Sequence, residues 1–158
     1  MANAITDTLD NLATIVGAVS GIDNRIHQGY IRFSATQNYE DMITALTPYT
    51  QGYFDFWFLE STLGIRGDPA TFNVAGELHV YVPKETSDDL NSPIELATNV
   101  RNAIMTPANW STSGLCMPTI CTFRFVGVNV THTPGVATFA FGGDNGGNMT
   151  FLGGCETK

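Results

Sequence analysis

The sequence predicts an α+β fold with two or three helices and strands paired mainly as antiparallel hairpins, and three observations carry that prediction. Apolar residues recur at helical spacing near the start of the chain and again over 92 to 105. Elsewhere, runs rich in Phe, Val, Ile and Tyr read with the period of two that marks extended chain. Turn-forming residues (Gly64, Gly67, Asp68, Pro69, and later Pro134-Gly135) sit between neighbouring runs, which suits antiparallel pairing.

The first helix is expected over about 7 to 17. Ile5, Leu9, Leu12, Val16 and Val19 share a face, Thr6 is placed to cap, and Asp7 and Asp10 lie near the positive end of the helix dipole. Gly17 and Gly21 break the pattern, and Ile22 to Phe33 reads as a short extended stretch interrupted at Gly29. Asn38 can cap a second, short helix over 39 to 46, which Pro48 forbids from continuing.

The run Tyr53 to Glu60 is the most informative stretch in the chain. Read as a strand it is apolar on both faces, with Tyr53, Trp57 and Leu59 pointing one way and Phe54, Phe56 and Phe58 the other. A chain of 158 residues with few helices has little left to cover the second face, so a partner subunit is expected there. The next run, Phe72 to Val82, alternates Leu78, Val80 and Val82 with Glu77, His79 and Tyr81, the pattern of a strand with one buried face. A connection of about ten residues between these strands reads as a projecting hairpin tip.

Ser92-Pro93-Ile94-Glu95 has the form of a capping box with proline at the first helical position. It opens a helix running to Met105, with an apolar stripe of Leu96, Ala97, Val100, Ala103, Ile104 and Met105, and Pro107 ends it. One strand over 119 to 131 and another over 136 to 141 should pair antiparallel. The domain is expected to end there, since 142 to 158 is Gly-rich with few apolar residues and reads as a flexible tail.

At 43% hydrophobic the chain can bury roughly 70% of its unfolded surface as one domain. Only 14% of residues are charged, which suits permanent contacts because little must be desolvated when subunits meet. The net charge of -8 argues against gripping nucleic acid by its phosphates, though an acidic surface can border a channel through which DNA slides. The start of the chain lacks a basic region followed by an apolar core, so neither a signal peptide nor a transmembrane segment is expected, and synthesis is placed in the cytoplasm.

Chemistry is sparse. Cys116, Cys121 and Cys155 do not match a zinc spacing and read as buried or idle thiols, and no metal or cofactor is expected. Glu77 and His79 share a strand face, yet without a third group they read as polarity on a solvent-facing strand. The run Gly142 to Gly147 lacks the Lys-Ser/Thr of a phosphate loop and reads as a linker. The aromatic strand carries Asp55 and Glu60 where a single-strand nucleic-acid binder needs cations, so a core or interface role is preferred. No catalytic residue is assigned.

This succession of amphipathic helix, short Gly-bounded strand from Ile26 to Phe33, small helix, long hairpin (53 to 82), capped helix (92 to 105) and final hairpin (119 to 141) resembles the tail terminator proteins of long-tailed bacteriophages. Arg25-Ile26-His27 and the tract Tyr53 to Leu59 sit where that family carries comparable residues. The resemblance implies a mixed, mainly antiparallel sheet of four to five strands with helices on one face. It further implies a hexameric ring in the virion neck, binding the tail tube protein on one side and the head connector protein on the other, with DNA passing through and no membrane involved. Tyr53 and Trp57, with Arg66 and Asp68 on the projecting loop, are the candidate subunit-interface residues. Another phage neck or tail-completion protein, and a small α+β ligand-binding module or enzyme, are the competing readings.

Overall fold

The computed structural model of the protein describes residues 4–28, 51–63, 69–82, 90–112, 115–129, 135–142 and 148–152. Among these residues two helices, α1 (Ala4–Gly17) and α2 (Asn91–Met105), pack against a mixed sheet of seven strands. The strands are β1 (Ile26–Gln28), β2 (Gly52–Leu63), β3 (Pro69–Val82), β4 (Pro118–Thr122), β5 (Arg124–Asn129), β6 (Gly135–Phe141) and β7 (Asn148–Leu152). Among the described strands only β1 runs parallel to its neighbour, β2.

The expected α+β class holds, but the described residues form seven strands and not four to five. The surplus comes from two interruptions. One edge of β3 is shared, with Gly76–Val82 pairing β6 and Thr71–Val74 pairing β7. Likewise β5 pairs β6 while β4 pairs β7, so the stretch expected as one strand over 119 to 131 is two strands with Phe123 between them. Seven strands therefore lie in five lanes, in the order β1, β2, β3, β6 with β7, β5 with β4.

Helix α1 begins at Ala4, so Thr6 lies inside its first turn and does not cap it. Leu9, Leu12 and Val16 enter the core. The chain then turns sharply, with Gly21, Asp23 and Asn24 at φ of 100°, 50° and 66°, a region that Asp and Asn tolerate better than other side chains. Arg25 fastens this turn to the sheet: its Nε donates to the Gly52 carbonyl at 3.0 Å and its Nη2 to the Gly21 carbonyl at 2.6 Å. Extended chain starts only at Ile26, and the short helix expected over 39 to 46 lies outside the described residues.

The capping box expected at Ser92 and Glu95 is not formed. Helix α2 starts at Asn91 behind Leu90, and no side chain caps it. Pro93 falls in the first turn, where backbone N–H groups have no intrahelical acceptor, and its ring is buried. Thr106 is extended ahead of Pro107, as the sequence indicates. A 3-10 turn over Pro107–Trp110 then folds back on the helix end. Thr106 Oγ1 donates to the Asn102 carbonyl at 2.6 Å, Asn109 Nδ2 to Ala103 at 2.7 Å and Trp110 Nε1 to Ile104 at 2.8 Å, which satisfies three terminal carbonyls.

The core is aromatic. Phe54 meets Phe141 edge-on with ring centroids 5.4 Å apart, and Phe72 stacks on Phe151 at 5.0 Å, with Trp110 edge-on to Phe151 at 5.4 Å. These contacts correct the reading of 142 to 158 as a tail. Residues 148–152 form β7, and its alternating Met149 and Phe151 are fully buried against β3 and α2's return turn. Two correctly spaced apolar residues suffice for a strand when a long neighbour already offers an unpaired edge.

The β2–β3 hairpin is also longer than expected. Its strands run to Leu63 and from Pro69, leaving 64–68 as the connection in place of about ten residues. Arg66 and Asp68 fall in that connection, outside the described residues. The alternation in β2 breaks at a bulge between Phe58 and Glu60, so Leu59 leaves the row of Tyr53 and Trp57 and is exposed.

Candidate functional site

The sheet face opposite the helices carries a row of titratable side chains that the pairing registers bring together. His27 on β1 stands opposite Asp55 on β2, Asp55 opposite Glu77 on β3, Glu77 opposite Ala140 on β6, and Ala140 opposite Arg124 on β5. Tyr53, His79 and Thr138 form the adjacent row, and Trp57 pairs with Ala75 on the other side. Period-two geometry places all of these on one face.

Centrally, this face is buried. Asp55 is 0% exposed, Glu77 and His79 are each 7% exposed, and Ala75, Val136 and Ala140 are buried beside them. Glu77 and His79 are thus not the solvent-facing polarity expected from the alternation. The expectation that a lone copy leaves the second face of β2 open is also corrected at its centre, because Asp55 is sheltered within the chain itself and Tyr53 and Trp57 are half-buried.

The polar contacts are specific. His27 Nδ1 lies 2.8 Å from Asp55 Oδ1, and with the proton on that nitrogen the imidazole donates to the carboxylate. The second oxygen, Asp55 Oδ2, is buried with no hydrogen-bond partner. Burial pushes the Asp55 carboxyl above its ordinary 3.8; the hydrogen bond and charge of His27 and the charge of His79 oppose that rise, while the charge of Glu77 adds to it. His79 Nε2 stands 3.5 Å from Glu77 Oε1, and His79 Nδ1 lies 3.2 Å from the Thr138 hydroxyl. Sequence reading found Glu77 with His79 but missed His27 with Asp55. The missing signal was register: nothing local to either residue says that a three-residue strand runs parallel beside β2.

Beyond Ala75 the same face opens. Ile120 and Leu152 are 41% and 46% exposed there; on the edge lane Phe125, whose ring lies against core Phe139 on the helix side, and Val126 are 40% and 46% exposed. Val126 stands at a bulge between Phe125 and Gly127, so consecutive apolar side chains are both presented. Such large exposed apolar groups mark contact surfaces when they gather on one part of a fold.

A separate groove of about 360 Å³ lies between the turn after α1 and the first turns of α2. Ser20, Asp23, Gln51, Ser92, Glu95 and Asn99 line it over Leu96, and among the described residues this lining offers carboxylates, amides and hydroxyls but no imidazole or thiol. Among the described residues no group of three or more His, Cys, Asp or Glu is arranged to hold a metal ion. No helix among them is long and apolar enough to cross a membrane.

Of the cysteines expected as buried or idle thiols, Cys121 is one and Cys116 is not. Cys116 is disulfide-bonded, its backbone N–H donating to the Thr8 hydroxyl at 2.9 Å. Cys121 is a free, buried thiol, and Cys155 lies outside the described residues. Burial raises the Cys121 thiol from 9.0 to about 12, only partly offset by the charge of Arg101. Three pH units lower the thiolate fraction about a thousandfold. Iodoacetamide at pH 8 should therefore leave Cys121 unmodified in the native protein and alkylate it in urea; intact-mass labelling at free-thiol rates without denaturant would contradict the burial. A scan of protein-family models and a search of curated proteins both return no match for this chain.

Proposed function

We propose that the protein is a virion structural subunit that forms a ring at the head-proximal end of a phage tail tube. The ring ends tube polymerisation and joins the tail to the head connector. The observation that carries this reading is the set of large exposed apolar side chains on the outer lanes of the sheet, Ile120 and Leu152 on the face opposite the helices and Phe125 and Val126 along the edge strand. A low-charge surface and a net charge of -8 add to it, since the first favours permanent subunit contacts and the second keeps passing DNA from sticking. A disulfide at Cys116 suits a particle that persists in oxidising surroundings outside the cell.

Mechanistically, assembly is surface matching. Each subunit presents one patch to a different patch on its neighbour, and such heterologous contacts close into a ring when the rotation permits. One ring face copies enough of the tube end to bind it, while the other lacks what the next tube ring needs. Tyr53 and Trp57 remain candidate contacts beside the half-open part of the sheet, with Arg66 and Asp68 on the hairpin connection as candidate charged partners.

Sedimentation velocity over micromolar to hundred-micromolar concentrations tests the ring directly. A closed oligomer is expected for the native chain and its loss for Phe125→Asp with Val126→Asp, with rings capping one end of tail tubes in electron micrographs. A species that stays monomeric throughout, or rings indifferent to tubes, sinks the assignment.

A further inference from the structure

Three cysteines leave one way to complete the bond at Cys116 within a single chain. Cys121 is a free thiol, buried where β4 stands opposite Met149 of β7. The one sulfur left is that of Cys155. Its neighbours in the chain fix what it can reach. The Leu152 N–H donates to the Met117 carbonyl at 2.8 Å, so the end of β7 lies beside the residue that follows Cys116. Cys155 is three residues past Leu152, a tether of at most about 11 Å, and disulfides join Cα atoms about 4.4–6.8 Å apart. Cys116 is within that reach, whereas Cys121 stands toward the opposite end of the ladder.

We propose that Cys116 and Cys155 form a redox-controlled staple that fastens β7 to β4, closed in oxidising surroundings and open in reducing ones. Closure is a two-electron exchange with a low-molecular-weight disulfide such as oxidised glutathione. One protein thiolate attacks the small disulfide and displaces a thiolate; the second protein thiolate attacks the mixed disulfide and displaces the other. The protein gives up two thiol protons and two electrons, one S–S bond breaks as another forms, and two small thiols leave. Cys121 stays out of the exchange, because the attacking species is the thiolate and burial pushes this thiol up to about 12.

What the staple holds is β7, five residues long, which pairs with both β3 and β4 and brings Met149 and Phe151 fully into the core. Cys116 is itself anchored, its backbone N–H bonded to the buried Thr8 hydroxyl, so closure ties the chain beyond β7 to α1. The closed loop of about 40 residues also removes freedom from the unfolded chain. Closure on that scale makes unfolding about thirtyfold to a thousandfold less favourable. The staple acts within a lone subunit, so it stands or falls apart from ring assembly.

Cyanogen bromide cuts after Met105, Met117 and Met149, which places each cysteine on its own fragment. Protein equilibrated with oxidised glutathione should run as a monomer on non-reducing electrophoresis. Alkylated in urea and cleaved, it should give 106–117 joined to 150–158, with the one alkylated thiol on 118–149. Reduction by a phosphine should raise the unfolding constant in urea about thirtyfold or more, and the same reductant should leave Cys155→Ser unmoved. Three alkylated thiols after oxidation, a link to 118–149, or a bond between two copies overturns the proposal. So does a native urea transition indifferent to reductant, or a shift in Cys155→Ser equal to the native one. Should Cys155→Ser not fold, the fragment map and the native transition decide the matter by themselves.

Discussion

Ending the chain at residue 147 is expected to abolish the cooperative fold. Met149 and Phe151 are fully buried, and Phe151 is stacked on Phe72 and edge-on to Trp110. Emptying a buried phenylalanine site costs about 3–5 kcal/mol and a methionine site about 2–5 kcal/mol, before the β3 and β4 ladders to β7 are lost as well. Domains have only about 5–15 kcal/mol in total, so the truncated chain should show no cooperative thermal transition by circular dichroism. Phe151→Ala alone should remain folded with stability lowered by about 3–5 kcal/mol in urea. A truncated protein melting like the full chain would return these residues to the status of a dispensable tail.

Gly142→Ala should be the most damaging conservative substitution in the sheet. Gly142 sits at the interruption between β6 and β7 with φ of 90°, where a side chain is strained wherever it points. There is also no room for one. A methyl group here would run into the Val74 carbonyl oxygen and lie 3.1 Å from the Ala75 Cα and 3.3 Å from the Met149 backbone nitrogen, so the obstruction is main chain and cannot swing aside. Backbone strain of about 1–3 kcal/mol and overpacking of similar size add to an expected loss of about 2–6 kcal/mol. The urea midpoint measures it, and a shift below 1 kcal/mol would mean the two strands are not held as close to β3 as they stand here.

Much of the frame was legible in the residues because it is written in local periodicity. Leu9, Leu12 and Val16 mark α1, Leu96, Val100 and Ile104 mark α2, and Phe54, Phe56, Leu78 and Val80 mark the core faces of β2 and β3, all of them buried. Thr106 ahead of Pro107 gave the end of α2. What failed was what depends on distant neighbours. The Ser92–Glu95 box lost to a helix that starts two residues earlier, and residues 148–152 became a strand because β3 is long enough to leave an edge beyond β6. Asp55 reads locally as a charge that spoils an apolar strand. Only the parallel register with β1 shows it to be the buried half of a hydrogen-bonded pair.

The sharing of β3 between two later strands has a consequence for biosynthesis. Its inner edge is completed only by residues 135–152, so a ribosome releases the β2–β3 hairpin long before both of its partners on that side exist. Closing contacts over such sequence separations is entropically slow. The nascent chain must wait with Val74, Leu78 and Val80 on a half-finished scaffold, and the final lock is turned when residues 148–152 emerge.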